Sequence, residues 1–208
     1  MLFFPEIVRC EKYAVKECGG YHGYAYYKEQ IHIDCQYRCV YCDIKLEECG
    51  HEGFALDHFR PQEKFPRLKN DPKNLVVACS KCNRSKSSHW PVDIELGVAY
   101  QGEVGFIDPF EHNRLDFFCV GVSGEFAAKK SPSQYLIKLL GLNRPSRMVV
   151  RKNRQLQRRV DDLILLAEEI IDEVIQSGEM TELSWRKLES AKVAISGVRQ
   201  LRQEISSM

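Results

Sequence analysis

The sequence predicts an α+β fold, in which four cysteines fasten a small strand-and-helix core and a helical hairpin forms the C-terminal region. Three observations support this prediction. Two Cys-x2-Cys pairs, Cys39/Cys42 and Cys79/Cys82, bracket the core. Short apolar segments before the second pair are typical of strands. Toward the C-terminus apolar residues recur every seven positions, as they do along helices that pack on a partner helix.

The N-terminal flanking segment, residues 1–34, mixes tyrosines with charged residues and is predicted to form short strands or loops. Its aromatic cluster, residues 21–27, has two interpretations. The rings could stack on nucleic-acid bases, or they could pack against the cysteine-rich core. Packing is the favoured interpretation.

The core is predicted over residues 35–91, in the order strand, loop, strand, helix. Residues 54–56 form a short apolar segment and residues 74–78 a longer β-branched one, with a proline-punctuated loop between them. A helix is expected to begin at Ser80 or Ser85 and to end before Pro91, because the residue before a proline disfavours helical backbone.

Residues 92–144 are predicted to form a hairpin and a short helix packed on the core. Alternating apolar residues over 115–120 and 122–125 indicate the hairpin, and residues 133–140 indicate the helix, which Gly141 ends.

Residues 145–208 are predicted to be helical. The first helix covers residues 146 to about 176, with Val149, Leu156, Leu163 and Ile170 at seven-residue spacing. A second helix covers residues 181 to about 205. Ser177 and Gly178 separate the two, so an antiparallel hairpin is expected.

Four thiolates in two Cys-x2-Cys pairs suit one tetrahedral zinc ion, because each short turn can present two sulfurs to a common point. Cys35 lies four residues before Cys39 and is a rival for a zinc position. The cysteines outside the two pairs are otherwise expected to be free or buried thiols; they are Cys10, Cys18, Cys35, Cys49 and Cys119.

The formal net charge of +1 conceals strong segregation of charge. Residues 58–90 hold eight Lys or Arg and two acids, residues 144–159 hold seven basic residues and no acids, and residues 161–182 hold eight acids. Both basic stretches could bind phosphates. No secretory signal or membrane-length apolar run is evident, which predicts a cytoplasmic protein with reduced thiols and no membrane partner.

Between the cysteine pairs, and directly after the second pair, lie the residue types that phosphodiester hydrolysis requires. The reaction needs a base that works near neutral pH, which suits His58, and a divalent cation to stabilise the phosphate charge. Asp57 and Asn83 supply oxygen ligands that a hard cation prefers. Asn74 could accept the ring N–H of His58 and fix its tautomer. Since adjacent strand residues point to opposite faces, Asp57 and His58 can share one substrate only where the strand bends or ends.

Over residues 39–86 the chain closely resembles the HNH endonucleases of the ββα-metal superfamily. The matching positions are Cys39, Cys42, Asp57, His58, Pro61, Asn74, Cys79, Cys82, Asn83 and Lys86. The resemblance implies a ββα finger that holds one catalytic cation, usually magnesium, and a separate structural zinc on the four cysteines.

The same resemblance implies a role for each site residue. His58 would be the general base, Asp57 and Asn83 would bind the catalytic cation, and Asn74 would orient His58. Asn83 stands where many members have histidine. Its oxygen donor shifts the expected cation to Mg²⁺ or Mn²⁺.

A second resemblance lies downstream, in the segments 106–109 and 139–143 with Arg147 and Arg151. They look like the corresponding region of stand-alone bacterial HNH proteins from retron and Septu-type antiphage systems. Those proteins often occur beside an ABC-type or SMC-like ATPase. The resemblance therefore implies such a partner, with the C-terminal helices as a docking surface, although a packing seam between the two helices also explains their period.

The leading hypothesis is a metal-dependent endonuclease acting on nucleic acid, DNA rather than RNA, which leaves 5′-phosphate and 3′-hydroxyl ends as the family implies. Two alternatives stay open. One is a zinc-stapled binding module without chemistry, and the other is a nuclease that is inactive until it meets a partner such as an ATPase. Basic residues near the site are expected to contact phosphate rather than form a solvated face; they are Arg60, Lys81, Arg84 and Lys86.

Overall fold

The structure is a computed structural model that describes residues 2–206. It divides into two compact units, residues 1–148 and residues 149–208. The strands pair antiparallel as β1 (Phe54–His58) with β2 (Leu75–Cys79), β3 (Tyr100–Gln101) with β4 (Val104–Gly105), and β5 (Phe118–Val120) with β6 (Phe126–Ala128). The α-helices are α1 (Lys28–Asp34), α2 (Ser80–Lys86), α3 (Ser133–Leu139), α4 (Pro145–Ser177) and α5 (Glu182–Ser206). Within residues 2–206 no helix combines the length and the apolar character that crossing a membrane requires.

The centre of the first unit is a ββα arrangement, formed by β1, β2 and α2. Every residue of β2 is buried, which explains its continuous apolar sequence. Helix α2 follows β2 without a loop and ends at Lys86, because Ser87 takes a positive φ of 46°. The predicted order of strand, loop, strand and helix is confirmed, although α2 stops four residues before Trp90.

The N-terminal segment is loop over residues 2–23, with one isolated bridge between Val15 and Tyr21, as predicted, but its last eleven residues are helical. Residues Tyr24–Tyr27 form a 3-10 turn that continues into α1. Helix α1 lies against β2, and Ile31 on its inner side is fully buried. Lys28, Glu29 and Gln30 are good helix formers, but the tyrosines around them conceal the apolar period that would have indicated a helix.

The hairpin of β5 and β6 begins its second strand later than the sequence predicts. Residues 121–124 form the turn, closed by a hydrogen bond of 2.8 Å from the Gly121 N–H to the Glu125 carbonyl. Phe118 and Phe126 then pack on the ring of Phe4, with centroids 5.7 and 4.9 Å away.

The second unit is an antiparallel helical pair, as predicted. Near one end, Leu156 and Val160 of α4 pack with Val198 and Leu201 of α5. Near the other end Ala167 packs with alanines of α5. The seven-residue period of α4 is therefore largely a seam within the hairpin.

Candidate active site and metal centre

Four cysteine sulfurs converge on one point. The Sγ atoms of Cys39, Cys42, Cys79 and Cys82 all lie within 4.8 Å of one another, and all four residues are buried. Around a tetrahedral ion with metal–sulfur bonds of about 2.3 Å, sulfurs would be about 3.8 Å apart. The Sγ atoms of Cys42 and Cys79 are 3.7 Å apart. The cluster therefore fits a single tetrahedral metal ion.

Local backbone structure presents these sulfurs. Cys39 and Cys42 lie in a tight turn closed by a bond of 2.9 Å from the Asp43 N–H to the Cys39 carbonyl. The N–H of Val40 joins this turn to β2 by donating to the Val77 carbonyl at 3.0 Å. Cys79 ends β2, and Cys82 lies in the first turn of α2. Cys35 is a buried free thiol outside the cluster, so its rival claim to a metal position is wrong.

Two arginines at the start of α4 neutralise the cluster. The Nη2 atom of Arg144 lies 3.5 Å from the Cys79 Sγ and 3.6 Å from the Cys82 Sγ. Arg147, which is buried, donates to the Cys79 Sγ at 3.4 Å and pairs with Glu52. Four thiolates around a divalent ion carry two net negative charges, and two guanidinium groups offset them.

An open cleft of about 270 Å³ lies at the His58 end of β1, whereas Cys79 pairs with Phe54 at the other end of that strand. Asp57 and His58 at the end of β1 line the cleft together with Asn83 from the middle of α2. Because β1 ends at His58, the two adjacent side chains both reach the cleft. The remaining lining residues are Tyr24, Leu56, Pro61, Gln62, Glu63, Ser87 and Ser88.

The imidazole of His58 is held in one orientation. Its Nε2 atom lies 2.8 Å from the backbone carbonyl oxygen of Lys69. A carbonyl oxygen can only accept a hydrogen bond, so Nε2 carries a proton, and Nδ1 is the ring nitrogen left to accept one. The ring of Tyr24 lies against the imidazole, with centroids 5.0 Å apart.

Asp57 is clamped by two buried donors. The hydroxyl of Tyr41 donates to Oδ2 at 2.6 Å, and the ammonium of Lys86 donates to Oδ1 at 3.1 Å. The same ammonium donates to the His58 carbonyl at 2.7 Å. Burial raises the pKa of Asp57 although the charge of Lys86 opposes that shift, and burial lowers the pKa of Lys86 although Asp57 opposes it. We call these three side chains, Tyr41, Asp57 and Lys86, the carboxylate clamp.

Comparison with known proteins identifies this part of the chain. The family model for HNH endonucleases matches residues 39–89, which contain the cysteine cluster, the carboxylate clamp and most of the cleft. Residues 39–89 are an HNH endonuclease domain.

Two curated relatives share part of the sequence. The chain is 35% identical over 52 residues to the Septu protein PtuB of Bacillus thuringiensis, which covers 25% of this chain and 20% of that protein. It is 29% identical over 69 residues to the Septu protein PtuA of Bacillus mycoides (strain KBAB4), which covers 27% of this chain and 9% of that protein. The chain thus spans a fifth or less of the length of these relatives.

Asn74 of the HNH domain does not contact the His58 ring as the sequence predicted. Its Oδ1 accepts from the Arg60 N–H at 2.9 Å, and its Nδ2 donates to the carbonyls of Arg60 and Leu68 at 2.9 and 3.3 Å. Asn74 instead braces the loop that carries Lys69, whose carbonyl holds His58. Its influence on the imidazole is therefore indirect.

The four predicted phosphate-binding cations have different environments in the structure. Lys86 is fully buried in the carboxylate clamp, so its predicted contact with nucleic acid is wrong. Arg60 donates to the Gly97 carbonyl at 2.9 Å and lies over the ring of Trp90. Lys81 pairs with Glu52 at 2.9 Å. Arg84 is exposed and makes no ion pair within residues 2–206.

Sequence reasoning missed the clamp partners and Tyr24, although two signals were present. Tyr41 lies inside the first Cys-x2-Cys pair, which holds it near the core. Lys86 follows Asn83 by three residues on α2, so both side chains lie on one face of that helix. Tyr24 comes from a segment whose position only the tertiary structure reveals.

Proposed function

We propose that this chain is a metal-dependent endonuclease that hydrolyses phosphodiester bonds of nucleic acid, DNA rather than RNA. One observation carries the proposal: within the HNH domain Asp57, His58 and Asn83 line a single cleft that is open to solvent. A base, a carboxylate and a carboxamide are together where a phosphodiester could enter.

The donor chemistry fits two different metal ions. The four buried sulfurs suit zinc, which would be structural because no position on a four-thiolate ion remains open to substrate. Asp57 and Asn83 would hold Mg²⁺ or Mn²⁺ through oxygen. A carboxylate has about four acceptor sites, and the clamp uses two of them. Among residues 2–206 the Asn83 carboxamide has no hydrogen-bond partner that would compete for its oxygen.

His58 is the general base in this proposal. Donation from Nε2 to the Lys69 carbonyl leaves Nδ1 to take a proton from the attacking water. Asn74 keeps that carbonyl in place by bracing the loop, and Tyr24 limits rotation of the ring. A divalent cation bound at Asp57 and Asn83 would stabilise charge on the phosphate and on the leaving oxygen. The products would carry 5′-phosphate and 3′-hydroxyl ends.

We further propose that the chain works in antiphage defence with a partner such as an ATPase. The two relatives carry Septu names with different letters, which fits a system of more than one component. The second unit offers a surface for a partner, since Ile175 is 70% exposed, Trp185 60% and Val193 72%. The proposed role in antiphage defence rests on the two partial sequence similarities. The proposed partner rests also on these exposed side chains.

Cleavage tests the proposed function. We expect supercoiled plasmid to be nicked or linearised in the presence of Mg²⁺ or Mn²⁺, by the chain alone or after addition of the protein products of its neighbouring genes, and to stay intact in EDTA. Single-stranded DNA, duplex DNA and RNA are compared in parallel. Retained binding without hydrolysis under every divalent cation and with the partner added would contradict the proposal and favour a binding module.

A further inference from the structure

The lining of the cleft includes an aromatic side chain with an open face. Tyr24 lines the same cleft as His58 and Asn83 and is 39% exposed. The planes of the Tyr24 and His58 rings meet at 65°, so the imidazole covers at most one face of the phenol ring. Its hydroxyl has no partner within residues 2–206. We infer that Tyr24 stacks on an unpaired nucleobase next to the scissile phosphate, which makes single-stranded nucleic acid the preferred substrate class.

The segment that carries Tyr24 is fixed in place. The buried Tyr27 donates its hydroxyl to the Ala14 carbonyl at 2.7 Å and accepts from the His22 N–H at 2.9 Å. The N–H of Tyr24 donates to Asn70 Oδ1 at 3.2 Å, which joins the segment to the loop that holds His58. A ring whose position is already ordered loses little entropy when a base stacks on it.

A second ring of the same segment already has a stacked neighbour. Tyr26 is 61% exposed, and the imidazole of His22 stacks on it with centroids 4.0 Å apart and planes within 14°. The segment that carries Tyr24 therefore presents another aromatic face to a planar ring. Stacking of this kind is tolerant of sequence, because every base has a π-face.

Positive charge on the loop and the helix that border the cleft suits a nucleic-acid backbone. The loop between β1 and β2 exposes Arg67, Lys69 and Lys73, and α2 exposes Arg84. None of these four cations makes an ion pair within residues 2–206. Cations without acidic partners near stacking rings are the combination by which proteins bind single strands.

Whether the bases of a nucleic acid are paired determines how easily Tyr24 can stack on them. In a duplex each base lies between its neighbours, and a ring can reach its face only by unstacking a step at a cost of a few kcal/mol. A single strand presents bases whose faces are already accessible. Tyr24 beside the general base therefore favours unpaired nucleotides over a duplex. This inference rests on the proposed nuclease function for its biological meaning, but its binding step is independent of cleavage.

Binding without turnover tests the inference. The full chain carrying His58→Ala is titrated, with Mg²⁺, into single-stranded DNA, single-stranded RNA and duplex DNA that each contain one 2-aminopurine, whose fluorescence falls when it stacks. We expect quenching with the single strands, and about tenfold weaker binding with loss of quenching after Tyr24→Leu. Tyr24→Phe should restore both. Tyr37→Leu is the matched control, because Tyr37 is 41% exposed and does not line the cleft.

The results separate the two proposals. Unchanged single-strand affinity in Tyr24→Leu, or an equal loss of duplex affinity, would overturn the inference. So would a Tyr24→Leu chain that retains His58, binds single strands normally and only turns over slowly, because Tyr24 would then act solely on the orientation of His58. A wild-type chain that shows the expected quenching but cleaves no substrate would refute the nuclease proposal and leave the stacking site standing. Metal content and circular dichroism confirm that each variant is folded.

Discussion

Replacing His58 with alanine is expected to reduce cleavage by about 10²- to 10⁴-fold, the usual contribution of a positioned general base. The imidazole is the cleft side chain with a nitrogen poised to accept a proton, since its Nε2 is engaged by the Lys69 carbonyl. Loss of this one bond at a half-buried position should not unfold the protein. Single-turnover rates on a labelled oligonucleotide measure the effect, and zinc content should be unchanged.

His51→Ala is the matched control for that variant. His51 is exposed in the same domain and does not line the cleft, so its loss should alter the rate by less than about twofold. Cleavage by His58→Ala at a rate close to that of the wild type would show that another group activates the water.

Lys86→Met is expected to lower the free energy of unfolding by about 3–5 kcal/mol, because removing one partner of a buried ion pair leaves an uncompensated charge. The Lys86 side chain is 0% exposed, and that of Asp57 is 7% exposed. The ammonium also supports the end of β1 through the His58 carbonyl. Urea denaturation measures the change, provided the slope of the unfolding free energy against urea concentration is the same in both proteins.

Lys81→Met is the control on the same helix. Its ion pair with Glu52 is 2.9 Å long, but the Lys81 side chain is 52% exposed, so its loss should change stability by less than about 1 kcal/mol. The double variant Asp57→Asn/Lys86→Met should be more stable than Lys86→Met alone, since no charge is then left unpaired. A Lys86→Met protein no less stable than Lys81→Met would contradict the buried clamp.

Sequence periodicity and spacing were sufficient to predict the elements that depend on a local pattern. These elements are the continuous apolar run of β2, the two Cys-x2-Cys pairs and the helices marked by the seven-residue period of α4. The ββα order, the four-sulfur cluster and the helical pair are present as predicted. The adjacency of Asp57 and His58 at a strand end also followed from the alternation of strand side chains.

Side-chain partners were not predictable, because they depend on where distant segments meet. Asn74 had the right spacing to reach the imidazole, yet the nearby backbone of Arg60 and Leu68 takes its hydrogen bonds. Lys86 looked like one more cation in a basic stretch, and only its depth in the fold shows that it pairs with Asp57. Tyr24 is distant in sequence from the site, so no local pattern could place it in the cleft.

We propose above that Asp57, His58 and Asn83 form one catalytic site, distinct from a zinc centre on the four cysteines. A crystal structure of the His58→Ala protein soaked with Mn²⁺ tests it most directly, with anomalous scattering recorded on both sides of the zinc absorption edge. We expect a zinc peak among the four cysteine sulfurs and a distinct manganese peak bounded by the Asp57 carboxylate and the Asn83 carboxamide. Manganese density elsewhere, or a cleft that stays empty while bound nucleic acid lies on another face, would contradict it.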